Sequence, residues 1–222
     1  MRSLVPNFFT SLNLALGVLC IIFATQGNFI YGGCCILGSL VADALDGRTA
    51  RALGVSGEFG KELDSLADVV SFGVASAFLM YEFLLKDLGY IGIAATLFYS
   101  VCGGLRLARF NISTTVVKGY FMGVAIPTGG CLLATIAISG VRIPAEIMAG
   151  IVVIVGYLLV SKFHYPNFKE QSADPINKSA IAAIIVIGLI AIFVNWRTLV
   201  FLPFALYIIF GIINSLINKI SA

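Results

Sequence analysis

Charged residues are scarce in this chain. Asp, Glu, Lys and Arg together make up 11% of its 222 residues, whereas soluble domains carry about 25%. Hydrophobic residues make up 59%, and the formal net charge is only +3. The scarcity of charge excludes an ordinary soluble domain, and the lack of a basic patch leads us to expect no nucleic-acid partner. The composition instead predicts a single integral membrane domain over residues 1–222.

Cysteine motifs that bind metals or catalyse redox reactions are also missing. The 5 cysteines all fall within apolar runs, and none belongs to a CxxC pair. We therefore interpret them as small buried hydrophobic residues.

Apolar runs long enough to span a bilayer alternate with polar, glycine or proline residues. They predict an all-α, polytopic membrane bundle of about eight transmembrane helices, with no strand and no soluble domain. The helices are expected at residues 8–25, 29–51, 62–85, 89–110, 119–139, 145–162, 178–195 and 198–217.

The distribution of positive charge predicts the orientation of this bundle. With the N-terminus in the cytosol, 11 of the 14 Lys and Arg residues lie on the cytosolic side. Cytosolic loops of membrane proteins carry such an excess. We expect a multi-pass protein of the cytoplasmic membrane, with its N-terminus in the cytosol.

Four aspartates stand out against this apolar background. They form the string Asp43-x2-Asp46-Gly47-x2-Ala50-Arg51-x8-Gly60-x3-Asp64-x3-Asp68. A carboxylate near the centre of a membrane helix costs roughly 2.5–3.5 kcal/mol on insertion scales. No four basic residues are placed to offset these charges, so the string predicts bound cations at the cytosolic ends of the second and third helices.

Helical spacing predicts that the four carboxylates converge. Asp43 and Asp46 share a face of the second helix, and Asp64 and Asp68 share a face of the third. Oxygen ligands suit Mg²⁺, Mn²⁺ or Ca²⁺. Two such ions would balance the four charges and hold a pyrophosphate. Asp68 could also take a proton from an attacking hydroxyl.

The string matches the signature of the CDP-alcohol phosphotransferase family, which the chain resembles. The resemblance implies metal-ligand roles for Asp43, Asp46, Asp64 and Asp68, with Asp68 also the catalytic base. It implies that an alcohol hydroxyl attacks the β-phosphate of a CDP-linked lipid and that CMP leaves. The helix layout fits a six-helix catalytic core, about residues 1–162, plus two C-terminal helices, about 178–217. The family also implies a homodimer.

Further segments are similar to the integral membrane phosphatidylserine synthase branch of that family. They are Pro6-Asn7-x2-Thr10, Glu62 to Ala75, Leu105 to Asn111, and Gly123 to Pro127. The resemblance implies CDP-diacylglycerol or CDP-archaeol as donor and L-serine as acceptor. Ser76 departs from the branch, which usually has proline there. Loss of a helix-interior proline is expected to straighten the third helix locally.

The zwitterion serine needs a cation for its carboxylate, and two arginines are candidates. Arg106 and Arg109 are three residues apart on one helical face, and a guanidinium can hold a carboxylate in a bidentate fork. We assign Arg109 to the serine carboxylate, with Arg106 as the alternate and Asn111 beside them. The alternative, purely structural interpretation is that both arginines anchor the helix at the membrane interface.

The remaining site residues are expected to contact the CDP group. Gly47 and Ala50 lack bulk, so a ligand can approach the helix beside the metals. Arg51 can pair with a phosphate or anchor the membrane edge. The full predicted set is Asn7, Thr10, Gly47, Ala50, Arg51 and Gly60, although Asn7 and Thr10 could instead cap a helix.

Two other functions remain open on this evidence. Within the same family, glycerol 3-phosphate or inositol phosphate could replace serine as the acceptor. From another class, a cation-coupled transporter also carries intramembrane acids. The acids here cluster at one membrane face, and no inverted repeat is evident, which favours the enzyme.

Overall fold

The computed structural model describes residues 4–55, 57–112, 120–166 and 196–221, which form a bundle of apolar helices. The helices are α1 (Leu4–Thr25), α2 (Phe29–Leu53), α3 (Glu58–Leu88), α4 (Tyr90–Ile112), α5 (Ile126–Ser139), α6 (Ala145–Val160) and α7 (Leu202–Ser221). A 3₁₀ turn, Trp196–Val200, precedes α7. Helices α1 to α4 are long and apolar enough to cross a membrane. The predicted all-α membrane bundle is confirmed, and the helix predicted at 178–195 lies outside the described residues.

Helix α1 turns its small and polar residues inward and its large apolar residues outward. Its buried positions recur every three or four residues: Pro6, Thr10, Asn13, Gly17, Cys20 and Ala24. Phe8 and Ile22 are exposed on the opposite face, which suits a surface that meets lipid. A Cβ atom at Gly17 would lie 2.9 Å from the Cα atom of Ser71. Glycine therefore allows α1 to approach α3 closely.

A short connection joins α2 to α3. Helix α2 ends at Gly54, which adopts a left-handed conformation with φ 63° and donates its N–H to the last carbonyl groups. Helix α3 begins at Glu58. The aspartate-bearing ends of the two helices are consequently neighbours.

Helix α3 is not a regular α-helix. Val69–Ala75 and Tyr81–Leu85 form π-helical turns. The hydroxyl groups of Ser76 and Tyr99 both donate to the carbonyl oxygen of Phe72, at 2.6 Å and 3.3 Å. The first π turn ends directly before Ser76, and the second begins five residues after it. Such turns are frequent next to functional groups, and Asp68 immediately precedes the first one.

The remaining helices enclose the core. Helix α4 packs along α6, and α5 packs against α2, α3 and α7. The contact between α3 and α4 is close, because a Cβ atom at Gly103 would lie 3.5 Å from the Cα atom of Gly73. The core residues with no exposure include Phe72, Leu79, Tyr99 and Leu133.

The helix predicted at 119–139 begins later than expected. Tyr120–Met122 instead forms a strand, β1, which pairs antiparallel with His164–Pro166, β2. Gly123 follows with φ 74°, a conformation that ends the strand, and its N–H donates to the carbonyl of Phe163 at 2.9 Å. Helix α5 then starts with a proline in its first turn. The prediction that no stretch forms a strand was therefore wrong, because this pairing joins residues distant in the chain.

Candidate active site

Three of the four aspartates lie together where α2 meets α3. One carboxylate oxygen each from Asp43, Asp64 and Asp68 lies within 4.8 Å of the other two. Asp68 is buried, and Asp43 and Asp64 are half-buried. Oδ1 of Asp64 is buried and has no hydrogen-bond partner among the described residues. Like charges this close repel one another unless protons or cations lie between them.

Asp46 extends this cluster toward α1. Its Oδ2 atom accepts a hydrogen bond of 2.9 Å from the hydroxyl of Thr10, and its carboxyl group is within hydrogen-bonding reach of Asp64. The donor set consists of carboxylate oxygens, which hard divalent cations prefer. The aspartate cluster, defined here as Asp43, Asp46, Asp64 and Asp68, is thus able to hold a divalent metal ion.

A cleft opens beside the cluster, between the first turns of α1 and the ends of α2 and α3. Its empty volume is about 420 Å³, including space open to solvent. The lining residues are Pro6, Asn7, Thr10, Asp46, Gly47, Ala50, Val55, Gly57, Gly60 and Asp64. A Cβ atom at Gly60 would lie 3.6 Å from Oδ1 of Asn7. All the residues predicted for the CDP group except Arg51 border this cleft.

Arg51 lies at the rim of the cleft rather than in its lining. Its side chain is exposed and folds back over Gly47, so that a Cβ atom there would lie 3.4 Å from Nη1 of Arg51. Its charge interacts with the carboxylate of Asp46. The guanidinium is therefore near the aspartate cluster and accessible to a ligand in the cleft.

Asn13 belongs to the site, although the sequence analysis did not select it. Its side-chain amide donates to Oδ1 of Asp68 at 3.0 Å. Its backbone carbonyl accepts hydrogen bonds from Ser39 at 3.1 Å and Ser71 at 2.9 Å. Asn13 lies one turn beyond Thr10 on the buried face of α1. That stripe of small and polar residues in an apolar helix is the signal that could have identified it.

The two candidate arginines have different surroundings. Arg109 donates from its guanidinium to the carbonyl oxygens of Val160 at 2.8 Å and of Met122 and Ser161, both at 3.4 Å. Arg106 is buried, its charge interacts with that of Asp68, and its Nε atom has no hydrogen-bond partner in the described part of the chain. Arg106 is therefore close enough to the aspartate cluster to interact with it electrostatically.

Asn111, the third residue predicted for serine binding, joins α4 to α3. Its side-chain amide donates to the hydroxyl of Ser65 at 2.9 Å, and its carbonyl accepts from Lys61 at 3.4 Å. These contacts help to hold the C-terminal end of α4 beside the aspartate-bearing helix.

A family model described as CDP-alcohol phosphatidyltransferase matches residues 3–211. The chain belongs to the CDP-alcohol phosphatidyltransferase family. The match includes the aspartate cluster, the cleft and both arginines, so the resemblance noted in the aspartate string extends over nearly the whole protein.

Several proteins with sequences similar to this chain are named for the synthesis of serine-containing lipids. A CDP-diacylglycerol--serine O-phosphatidyltransferase of Helicobacter pylori strain J99 is 35% identical over 218 residues, covering 95% of this chain and 90% of the relative. A protein of the same name from Bacillus subtilis is 36% identical over 170 residues, covering 77% and 94%. An archaetidylserine synthase of Methanothermobacter thermautotrophicus is 35% identical over 173 residues, covering 76% and 72%.

Proposed function

We propose that this protein transfers a phosphatidyl group from a CDP-linked lipid to the hydroxyl of L-serine and releases CMP. The family membership and the names of the relatives support this reaction. The structural observation that carries it is the aspartate cluster beside a cleft at one end of the membrane helices. The donor is CDP-diacylglycerol or CDP-archaeol. The chain is similar both to relatives named for CDP-diacylglycerol and to one named for archaetidylserine.

The aspartate cluster is proposed to hold two divalent ions, Mg²⁺ or Mn²⁺. The buried, unpartnered Oδ1 of Asp64 and the close approach of three carboxylates support this assignment. When bound, such ions would neutralise the pyrophosphate and stabilise the charge that develops on the attacking and leaving oxygens. Thr10, by donating to Asp46, fixes one carboxylate at the border between the cluster and the cleft.

The protein's own groups then perform the transfer in one displacement. Asp68 accepts the hydroxyl proton of serine, and the serine oxygen forms a bond to the β-phosphorus. The bond between that phosphorus and the oxygen bridging to CMP breaks, and CMP leaves with the electron pair. Asn13 holds Oδ1 of Asp68 through its amide, so that the carboxylate keeps one orientation.

The cleft is the proposed place of the CDP group. Asn7 and Thr10 present polar atoms on the α1 side. Gly47, Ala50 and Gly60 leave space where a side chain would otherwise fill the cleft. Arg51 at the rim is placed to pair with a phosphate, because its guanidinium is exposed.

We further propose that the site faces the cytosol in the cytoplasmic membrane and that the protein is a homodimer. The predicted placement of 11 of the 14 basic residues on one side supports the orientation. Lipid tails would reach the cleft laterally from the bilayer, while serine and CMP would exchange with the cytosol. Cross-linking in native membranes and protease accessibility in sealed vesicles test these two points.

CMP release by the purified protein in detergent tests the reaction. CDP-diacylglycerol or CDP-archaeol is supplied with Mn²⁺ or Mg²⁺, and serine, glycerol 3-phosphate or inositol phosphate is offered separately. Release that depends on serine and on metal is expected. Release only with a phosphorylated acceptor would keep the family and overturn the serine assignment. Cation flux into liposomes without CMP release from either donor would favour a transporter.

A further inference from the structure

Two polar atoms on residues that interact with Asp68 are buried without a hydrogen-bond partner among the described residues. They are Oδ1 of Asn13 and Nε of Arg106. The first is an acceptor, and the second is a donor on a cation. Buried polar groups in proteins are nearly always hydrogen-bonded. Each atom therefore indicates a partner of the opposite character that the described residues do not supply.

The orientation of Asn13 follows from its neighbour. The carboxylate of Asp68 only accepts hydrogen bonds, so the amide nitrogen of Asn13 must face it, at 3.0 Å. The amide oxygen then points away from that bond. Asn13 has no solvent exposure, and hydroxyl groups of Ser39 and Ser71 both donate to its backbone carbonyl. The unpartnered oxygen is consequently held in place on a side chain that contacts the proposed base.

Arg106 lies on α4 and interacts electrostatically with Asp68 on α3. Gly73 and Gly103 bring α3 and α4 into close contact, and Arg106 lies one turn beyond Gly103 toward the end of α3 that carries Asp68. Arg106 is only 9% exposed. Its charge interacts with Asp68, but the two side chains do not form a direct ion pair. Another cation, Arg109, repels it.

A simpler role for Arg106 would be to neutralise the aspartates. That role predicts a direct contact between the guanidinium and a carboxylate, because a buried charge is costly unless it is paired and hydrogen-bonded. Arg106 and Asp68 lack this contact. A small anion between them would give Arg106 its missing acceptor.

We propose that Asn13 and Arg106 form a receptor for a zwitterionic acceptor, with Oδ1 of Asn13 accepting from its ammonium group and Arg106 binding its carboxylate. This inference rests on the proposed function. In serine, the ammonium and the carboxylate share the carbon next to the one that carries the hydroxyl. Two groups that both neighbour Asp68 can therefore bind these charges while the hydroxyl lies at the proposed base. A phosphorylated polyol has no ammonium to pair with Asn13.

Two analogues of serine separate the contacts. Ethanolamine lacks the carboxylate, and 3-hydroxypropanoate lacks the ammonium. CMP release is measured with each acceptor for the wild type, Asn13→Leu, Arg106→Gln and the control Arg142→Gln, whose exposed side chain lies in the loop after α5. Each analogue is also measured as an inhibitor of the reaction with serine. The readout is the ratio of kcat/KM between acceptors, because loss of Asp68 positioning in Asn13→Leu lowers all acceptors alike.

The wild type is expected to prefer serine to either analogue by at least about 100-fold. Asn13→Leu should reduce the preference over 3-hydroxypropanoate by about 10-fold or more and leave the preference over ethanolamine unchanged. Arg106→Gln should do the reverse, and Arg142→Gln should change neither ratio. The proposed receptor is refuted if Asn13→Leu or Arg106→Gln changes the preferences over 3-hydroxypropanoate and over ethanolamine equally. It is also refuted if either variant changes neither preference.

Folding and the proposed function are checked separately. Size-exclusion chromatography in detergent establishes that each variant is intact. If either variant is not, Asn13→Ser or Arg106→Lys takes its place with the same expected direction. A wild-type protein that releases no CMP with serine would refute the proposed function, whereas normal turnover with unchanged ratios would refute only the receptor.

Discussion

Thr10 and Asp46 are 36 residues apart in the chain, yet the hydroxyl of one donates to the carboxylate of the other at 2.9 Å. The same hydroxyl lies 3.2 Å from the carbonyl of Pro6 in its own helix. Both side chains are buried and line the cleft. This bond connects the first turns of α1 to the aspartate cluster and therefore defines where the cleft meets the proposed metal ligands.

Replacing Thr10 with valine removes this bond with little change in shape. A hydrogen bond to a charged group contributes about 1.5–3 kcal/mol. We expect kcat/KM for the CDP-linked lipid to fall by at least about 10-fold, as measured by CMP release. Ser11→Ala is the matched control, because the Ser11 hydroxyl donates to a carbonyl in its own helix on the exposed side. Equal activity of both variants would contradict the role of the Thr10 bond.

Asp68→Asn tests the proposed base. The substitution keeps the size of the side chain but cannot accept the proton from serine. General-base catalysis contributes about 10²–10⁴-fold, so kcat for CMP release should fall by at least about 100-fold. Asp87→Asn is the control, since Asp87 is exposed at the other end of α3. Full turnover of Asp68→Asn with normal metal binding would exclude Asp68 as the base.

Ala50→Leu tests whether the cleft binds the CDP group. The larger side chain would fill space that borders the cleft, so KM for the lipid donor should rise at least about 10-fold while the protein stays folded. Ala52→Leu adds the same atoms at an exposed position two residues on, outside the lining, and should leave KM unchanged. If the cleft does not bind the CDP group, KM for the lipid donor should be the same in the two variants.

Arg109→Lys should lower the thermal stability of the protein while having little effect on its recognition of serine. The guanidinium joins α4 to the end of α6 and to the residue before Gly123 through three carbonyl oxygens. Lysine cannot reproduce this fork, and the loss of even one such bond costs about 1–3 kcal/mol. The thermal unfolding midpoint in detergent should fall by several degrees. A rise in KM for serine with an unchanged midpoint would instead restore Arg109 as the carboxylate ligand.

Removal of divalent metal should abolish CMP release and lower stability. Without cations the clustered carboxylates repel one another, and ions that bind only the folded protein stabilise it. After treatment with EDTA, adding Mn²⁺ or Mg²⁺ should restore activity and raise the unfolding midpoint. Asp64→Asn should reduce that rise, whereas Asp87→Asn should not. An unchanged midpoint in the wild type would argue against a metal site within the cluster.

Much of the bundle followed from local patterns. Helices α2 and α4 begin and end within two residues of their predicted limits, because apolar runs bounded by glycine and polar residues define membrane spans. Helix α5 was misplaced at its start by seven residues, from 119 to Ile126. There the deciding interaction is the pairing of β1 with β2, and a contact between residues about 40 positions apart leaves no periodic trace in either segment.

The candidate site was likewise predicted in part from local spacing and decided in part by packing. The spacing of Asp43, Asp46, Asp64 and Asp68 placed two carboxylates on each helix, since the α-helical repeat is local. Spacing alone did not distinguish Arg106 from Arg109, which share a face of α4. Carbonyl groups at the end of α6 engage Arg109, and this depends on how α4 packs against α6.

The sequence by itself determined the membrane class, the family signature and the residues able to hold cations, because composition and helical spacing are properties of short segments. The tertiary structure decided that Asn13 contacts Asp68, that Thr10 contacts Asp46, and that Arg106 is buried near the proposed base. These contacts join residues between 36 and 55 positions apart or on separate helices. They exist only because glycine and serine residues let α1, α2, α3 and α4 approach closely enough for polar side chains to meet.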